Sequence, residues 1–158
     1  MATCVKFSRM FSRKNVLLDI KSTAKADALG ELVEHLRKNE VLDEALAKEL
    51  SKAIMSREKL GSTGIGNGVA VPHAKVASLS EPIVAIGRSV EGLDYQSIDG
   101  EPVHALFFVA CPPGESDLHL TLLKWYSKLS RNSDFRMFFR RAKNVREVQA
   151  LLREMGDE

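Results

Sequence analysis

The most distinctive part of the chain is the stretch GSTGIGNGVAVPHA, residues 61–74. It holds four glycines and two hydroxyl residues, and it then runs into a short apolar segment that stops at Pro72 and His73. Glycine permits backbone conformations that other residues avoid, so the pattern indicates a pliable loop. Proline restricts the residue before it to extended geometry, which suits a strand that ends abruptly and presents His73 at its tip.

The glycine pattern does not match the familiar nucleotide-binding motifs. A Walker loop needs a lysine and a hydroxyl residue directly after its last glycine, but Asn67 follows Gly66. A dinucleotide fingerprint needs a third glycine where Val69 stands, and a helix after it. Backbone N–H groups of a glycine-rich turn, beside Ser62 and Thr63, can still form a small anion-binding concavity. The alternative is a flexible turn between a helix and a strand.

The sequence has four histidines, and their positions indicate which of them could take part in chemistry. A neutral imidazole at His73 would offer a lone pair that could attack phosphorus or carbon, or bind a metal. His119 falls in the first turn of a predicted helix, where it could support the cap or belong to a site. We expect His35 to be solvated and His104 to be a half-exposed sheet residue.

The composition is that of an ordinary globular domain. The 158 residues are 44% hydrophobic and 28% charged, with a formal net charge of +2, which does not indicate a nucleic-acid partner. No segment is apolar enough to span a bilayer, so no membrane insertion is expected. Cys4 and Cys111 match neither a disulfide framework nor a C-x-x-C metal site, which favours a reducing cytoplasm.

The first 14 residues, MATCVKFSRMFSRK, are basic, and they lack the uninterrupted apolar core of a secretory signal. We expect a flexible basic tail over residues 1–14 and one domain over residues 15–158. The alternative for the tail is a membrane-surface or targeting helix.

Predicted strands and helices alternate through the rest of the chain. The strands are expected at residues 16–20, 69–71, 83–90 and 103–110, and the last is apolar almost throughout, as in a central strand covered on both faces. Apolar residues at i, i+3, i+4 and i+7 predict a helix that begins near Ser22 or Thr23, and Asp43 is the expected N-cap of a second helix.

Three more helices are expected after the break at residues 112–114. Ser116 or Asp117 can cap the first of them, whose apolar stripe includes Tyr126. The second is expected near Asp134. The third is expected to begin with a capping box formed by Asn144 and Glu147.

Three segments, in order, carry a resemblance to a known family: MSREKLGSTGIGNGVAVPHAK, SIDGEPVHALFFVACPP and DLHLTLL. From about residue 16 to the C-terminus, the chain resembles the enzyme IIA domain of the bacterial sugar phosphotransferase system, of the mannitol/fructose class and its nitrogen-regulatory branch. The resemblance implies one compact α/β domain with a mixed sheet of about five strands and helices on both faces. The alternation of predicted elements agrees with that fold.

The resemblance also implies a site. His73 would be the phosphorylated nucleophile, Arg57 the arginine beside the phosphate, and His119 the second active-site histidine. The phosphate-binding loop would include Ser62, Thr63 and Gly64. No metal and no cofactor are implied. From the residues alone, Arg57 could instead offset a helix dipole, and the hydroxyl residues could be turn formers. Trp125 stands where members more often carry a small apolar residue, and we expect it at an edge.

The implied function is that of a phosphoryl carrier that receives phosphate from the histidine phosphocarrier protein. Two roles are open: a nitrogen-type regulatory module that binds other proteins according to its phosphorylation state, or an enzyme IIA that serves a sugar permease through a separate enzyme IIB. The absence of IIB and IIC segments favours regulation. A metal-dependent hydrolase is disfavoured, because the sequence has no H-E-x-x-H motif or carboxylate-rich ligand set.

Overall fold

A computed structural model describes residues 6–157 of the chain, so Cys4 lies outside the described residues. One mixed sheet contains the six described strands, and its order is β1-β5-β6-β3-β2, with β4 also paired to β6. The strands are β1 (Val16–Leu17), β2 (Gly64–Gly66), β3 (Val69–Ala70), β4 (His73–Lys75), β5 (Ile83–Leu93) and β6 (Val103–Cys111).

Helices cover both faces of this sheet, as predicted. The described α-helices are α1 (Lys25–Lys38), α2 (Glu44–Leu60), α3 (Ser116–Arg131), α4 (Ser133–Arg141) and α5 (Val145–Gly156). Leu106 and Phe108 pack in the core with α1 and α2, whereas Phe107 and Val109 pack in the core with α3, α4 and α5. The α/β class is confirmed, with six strands where about five were expected.

The apolar run of β6 forms the centre of the sheet, which confirms its predicted position. β6 pairs antiparallel with β5 and parallel with both β3 and β4. Successive side chains of a strand point to opposite faces. Because helices cover both faces, an almost continuous apolar sequence is stable there.

The first predicted elements differ from the structure mainly at their ends. The strand expected at residues 16–20 is the two-residue β1. α1 begins at Lys25, later than predicted, and its N-cap Ala24 makes no side-chain hydrogen bond. Ser22 lies outside the helix because its hydroxyl and its N–H both donate to the carboxylate of Glu31. The cap of α2 is confirmed, since Asp43 Oδ1 accepts from the N–H of Leu46 at 2.8 Å.

The later caps agree only in part. Neither Ser116 nor Asp117 is the N-cap of α3. The N-cap is Glu115, and its side chain makes no capping hydrogen bond. α4 begins at Ser133, near Asp134 as expected, and its N-cap Asn132 accepts from the N–H groups of Asp134 and Phe135. Asn144 caps α5 as predicted, but the carboxylate of Glu147 accepts from the N–H of Lys143 and not from that of Asn144. That capping box is therefore half formed.

Residues 7–15 pack on the domain, in contrast to the tail expected over residues 1–14. Two short 3-10 helices, Phe7–Met10 and Arg13–Asn15, begin the described chain. The rings of Phe7 and Phe11 lie 5.6 and 5.7 Å from the ring of Trp125. Trp125 was expected at an edge; these rings bury it, and its Nε1–H donates to the carbonyl of Gly156 at 2.7 Å.

Candidate functional site

His73 begins β4 and is held against β6. The pairing is parallel, with His73 opposite Val109. The sequence suggested that His73 stands at the tip of the strand before it. In the structure β3 ends at Ala70, and His73 is instead the first residue of the next strand. The described chain therefore carries the imidazole on sheet backbone, which fixes its position better than a loop would.

The ring of His73 has a defined orientation. Its Nδ1 lies 2.8 Å from the carbonyl oxygen of Val71. Since a carbonyl oxygen only accepts, Nδ1 carries the proton, and the lone pair of the neutral ring is on Nε2. The side chain is half-buried. Nε2 is therefore the atom of His73 that could act as a nucleophile.

His119 lies beside His73, in the first turn of α3. The two ring centroids are 5.5 Å apart, with an interplanar angle of 61°. His119 is 8% exposed. Its Nδ1 is buried and has no hydrogen-bond partner among the described residues. Buried polar atoms without partners are uncommon in native proteins, and they often occur where a ligand or reacting group supplies the partner.

Burial lowers the pKa of His119, and its electrostatic interactions with His73 and Lys75 lower it further. Lys75 lies two residues after His73, and its Nζ donates to Ser116 Oγ at 3.0 Å, in the turn that carries His119. Sequence reasoning assigned no role to Lys75. Its period-two spacing from His73 on one strand is the signal that could have found it.

Arg57 occupies the last turn of α2, the helix that packs against β4. Its guanidinium donates from Nη1 to the carbonyl of Gly61 at 2.9 Å, so it caps the helix end and fixes the start of the glycine segment. The structure thus gives Arg57 the contact expected of a helix-end cation. Its position beside the loop also keeps a positive charge at the start of the segment that leads to His73.

The hydroxyl groups of Ser62 and Thr63 hold the loop in place. Ser62 Oγ donates to the carbonyl of Tyr95 at 2.9 Å and accepts from the N–H of Gly64 at 3.1 Å. The Thr63 hydroxyl and N–H both donate to the carboxylate of Glu58, at 2.5 and 3.2 Å. A Cβ on Gly64 would lie 2.2 Å from Ser97 Oγ, so only glycine fits there.

Sequence reasoning missed the buried network that anchors this loop. Glu58 is 7% exposed, and its Oε1 lies 3.0 Å from Lys25 Nζ, which in turn sits 4.6 Å from the ring centre of Tyr95. The Tyr95 hydroxyl is 3.0 Å from Thr63 Oγ1, and burial raises the pKa of Tyr95. Glu58 follows Ile54 by four residues on the apolar stripe of α2, and that spacing could have revealed its burial.

The remaining histidines lie apart from this site. His35 was expected to be solvated, but it is half-buried, and its Nε2 has no partner among the described residues. His104 is half-buried in β6, as expected, and its Nδ1 lies 2.9 Å from the carbonyl of Ser89. Within residues 6–157, no three His, Cys, Asp or Glu side chains are grouped so that they could hold a metal ion.

Residues 9–155 match the sequence model of the family described as "phosphoenolpyruvate-dependent sugar phosphotransferase system, EIIA 2". This chain belongs to that family. No α-helix in the described part of the chain has the length and apolar character needed to cross a bilayer.

Three similar proteins illustrate the range of the family. A PTS system fructose-specific EIIABC component of Bacillus subtilis is 38% identical over 84% of this chain, which spans only 20% of that relative's length. A nitrogen regulatory protein of Bradyrhizobium diazoefficiens is 30% identical over 87% of this chain and 88% of its own. The crystal structure of nitrogen regulatory protein IIA-Ntr of Neisseria meningitidis aligns with a TM-score of 0.82 at 28% identity, covering 92% of this chain and 98% of that one.

The buried histidines should make stability depend on pH. Burial is the first cause that lowers the pKa of both His35 and His119. Each ring takes up a proton at about pH 6.5 in the unfolded chain, but only at lower pH in the folded one. Between those values the unfolded state binds more protons, so the free energy of unfolding falls as the pH falls. Urea unfolding at about pH 7.5 and about pH 5.5 measures the loss.

His35→Gln and His119→Gln should each lose less stability than the wild type over this interval, because glutamine does not titrate. The carboxylates titrate in the same way in all three proteins and cancel in the comparison. If both variants lose as much unfolding free energy as the wild type, then His35 and His119 are not the cause of the pH dependence.

Proposed function

We propose that this protein is a phosphoryl carrier whose phosphate is held on Nε2 of His73. The observation that supports it most directly is the bond from Nδ1 of His73 to the carbonyl of Val71, which leaves the lone pair on Nε2. In the transfer step, this lone pair attacks the phosphorus of a phosphohistidine donor. The N–P bond of the donor breaks, and its electron pair returns to the donor imidazole.

The surroundings of His73 suit phosphoryl transfer. Such a reaction needs positioning and positive charge near the equatorial oxygens more than covalent help from the protein. The His119 ring lies 5.5 Å from that of His73, and the ammonium group of Lys75 donates to Ser116 in the same turn of α3 as His119. In this proposal His119 donates a hydrogen bond to the phosphoryl group, and Arg57 adds positive charge from the end of α2. No step requires a metal.

Ser62, Thr63 and Gly64 have a narrower part in this proposal than the resemblance implied. Thr63 is buried, and its hydroxyl and N–H are both used by Glu58. The Ser62 hydroxyl accepts from the N–H of Gly64 and donates to the carbonyl of Tyr95. We assign these three residues to fixing the loop near the phosphate, and Ser62 is the one whose half-buried side chain leaves it nearest to solvent.

The proposed donor is the histidine phosphocarrier protein, and a protein donor fits the surface near the site. Two large apolar side chains are exposed near candidate residues: Leu60 lies between Arg57 and Ser62 in the chain, and Leu120 follows His119, with exposures of 84% and 52%. They give a protein donor apolar surface to bury when it docks. The proposal places the reaction in the bacterial cytoplasm.

We further propose the nitrogen-type regulatory role, in which partners bind according to the phosphorylation state of His73. Two observations support it: the Bradyrhizobium nitrogen regulatory protein matches this chain over nearly its whole length, and the Neisseria IIA-Ntr fold is very similar. The 38% identity to the fructose-specific component of Bacillus subtilis favours the second candidate, an enzyme IIA that passes phosphate to an enzyme IIB.

Incubation with phosphoenolpyruvate, enzyme I and the histidine phosphocarrier protein should place a single phosphate on His73. The linkage should be acid-labile and base-stable, because a phosphoramidate on imidazole hydrolyses readily in acid. Mass spectrometry of peptides prepared at high pH locates it. Phosphate that survives acid, or that maps to Ser62 or Thr63, would overturn the proposed chemistry.

The same labelled protein separates the two roles. Rapid movement of the label to a fructose-type enzyme IIB supports the transport role. Retention of the label, together with a partner that binds His73→Ala but not the phosphorylated wild type, or the reverse, supports regulation.

A further inference from the structure

A cavity of about 560 Å³ lies between α4 and the sheet. It contacts β6 at its beginning, near His104 and Phe107, whereas His73 pairs with Val109 near the end of that strand. His104 and Val109 are separated by roughly 16 Å along the strand at about 3.3 Å per residue. None of the six candidate site residues lines the cavity. It is therefore a second concave site.

The charged side chains around the cavity are positive. Its lining includes Arg136, Arg140 and Arg141 but no aspartate or glutamate. Among residues 6–157, the ion pairs of the chain involve other residues, so these three arginines have no carboxylate partner. A concave wall with unpaired cations concentrates positive potential and attracts an anion.

The position of Arg140 and Arg141 at the end of α4 has an ordinary explanation, which is that basic residues offset the negative end of a helix. In this protein another residue already does so. Arg88 of β5 is 8% exposed, and its guanidinium donates to the carbonyl of Phe139, in the last turn of α4, and to that of Ala142, the C-cap of the helix. The exposed side chains of Arg140 and Arg141 are thus available to a ligand.

The rest of the lining is suited to an apolar body. Val90 and Met137 contribute apolar surface to the lining, with exposures of 59% and 38%, whereas Phe107, Phe135 and Phe139 are buried in the core. His104 Nδ1 donates to the carbonyl of Ser89, which leaves Nε2 for a polar group of the ligand. A volume of this size falls within the range of about 300–1,000 Å³ that is usual for small-molecule sites.

We propose that this cavity binds a small organic anion, a phosphate or a carboxylate attached to an apolar body. The body packs on Val90 and Met137, and the anionic group meets Arg140 and Arg141. A compact pocket of this volume favours such a ligand over the extended backbone of a nucleic acid, which needs a long basic groove.

An NMR titration of the ¹⁵N-labelled chain with phenyl phosphate tests the site. We expect saturable shifts at the amides of Ala105, Phe135 and Met137, which line the cavity. Inorganic phosphate and benzyl alcohol each supply only half of the chemistry and should bind about tenfold more weakly or worse. Benzoate distinguishes the two anions: comparable binding indicates a carboxylate or phosphate site, and much weaker binding indicates phosphate alone.

Arg140→Gln/Arg141→Gln should weaken phenyl phosphate binding about tenfold or more, since charge-assisted hydrogen bonds are lost. Both side chains are exposed, so folding should be preserved. Arg131→Gln/Arg153→Gln removes two exposed charges outside the cavity and should bind like the wild type. Shifts confined to His73 and His119, equal weakening in both double variants, or shifts without saturation would each overturn the proposal. Because the readout is binding, it is independent of whether His73 is phosphorylated.

Discussion

His73→Ala should abolish phosphoryl labelling at every time point, whereas His119→Ala should slow it by about 10²–10³-fold. The first change removes the nitrogen that bonds to phosphorus. The second removes one preorganised contact, worth about 2.7–4 kcal/mol of transition-state stabilisation. A labelling time course at fixed donor concentration, on variants shown to be folded, measures both effects.

Slow residual labelling of His119→Ala would distinguish a positioning residue at His119 from the nucleophile at His73. Given a long incubation and excess donor, His119→Ala should still label fully. His35→Ala is the matched control, because it removes a half-buried imidazole from α1; it should label at the wild-type rate. If His119→Ala is as inactive as His73→Ala, or if His73→Ala labels at His119, then the nucleophile is misassigned or the two imidazoles form a relay.

The core of the fold could be predicted from the sequence because its signals are local. The apolar run of β6 indicates burial on both faces, and the apolar stripes of α1 and α2 have the period of a helix. The two-residue and three-residue strands β2, β3 and β4 exist because they pair with each other or with β6. Their strand character depends on partners distant in sequence, and only the strand at residues 69–71 was predicted.

Cap predictions show the same limit. Asp43 caps α2 as expected, since its partner Leu46 is three residues away. Ser116 has a suitable side chain, but its hydroxyl accepts a hydrogen bond from Lys75 on β4. A residue's local preference is overridden when a distant group offers it a better bond, and the sequence does not show which distant groups will meet.

The candidate site was predictable in its residue types but not in its arrangement. The spacing of residues 61–74 singles out His73, yet it left His119 undecided until the family resemblance supplied a role. The structure brings the two rings to 5.5 Å because β4 pairs with the end of β6 and α3 begins just beyond it. Glu58 was missed since a charged residue near a helix end usually faces solvent.

The burial of Glu58 has a consequence for stability. Its ion pair with Lys25 is buried, with side-chain exposures of 3% for Glu58 and 14% for Lys25. Breaking a buried pair by removing one partner leaves an uncompensated charge, which costs about 3–5 kcal/mol. Lys25→Ala should therefore lower the free energy of unfolding by about that amount in urea denaturation followed by circular dichroism. Lys25→Ala also removes the ammonium group that lies over the ring of Tyr95.

Lys48→Ala is the matched control, because it removes a helical lysine from an exposed pair with Glu44, 3.9 Å apart. Exposed pairs of this kind contribute about 0–1 kcal/mol, so the control should stay close to the wild type. The double variant Lys25→Ala/Glu58→Gln removes the carboxylate that Lys25→Ala leaves without a partner. It should recover part of the lost free energy of unfolding, since the uncompensated carboxylate causes most of that loss. If Lys25→Ala is no less stable than Lys48→Ala, or if Glu58→Gln adds its full cost to that of Lys25→Ala, then hydrogen bonds to Thr63 hold the glycine segment without help from the ion pair.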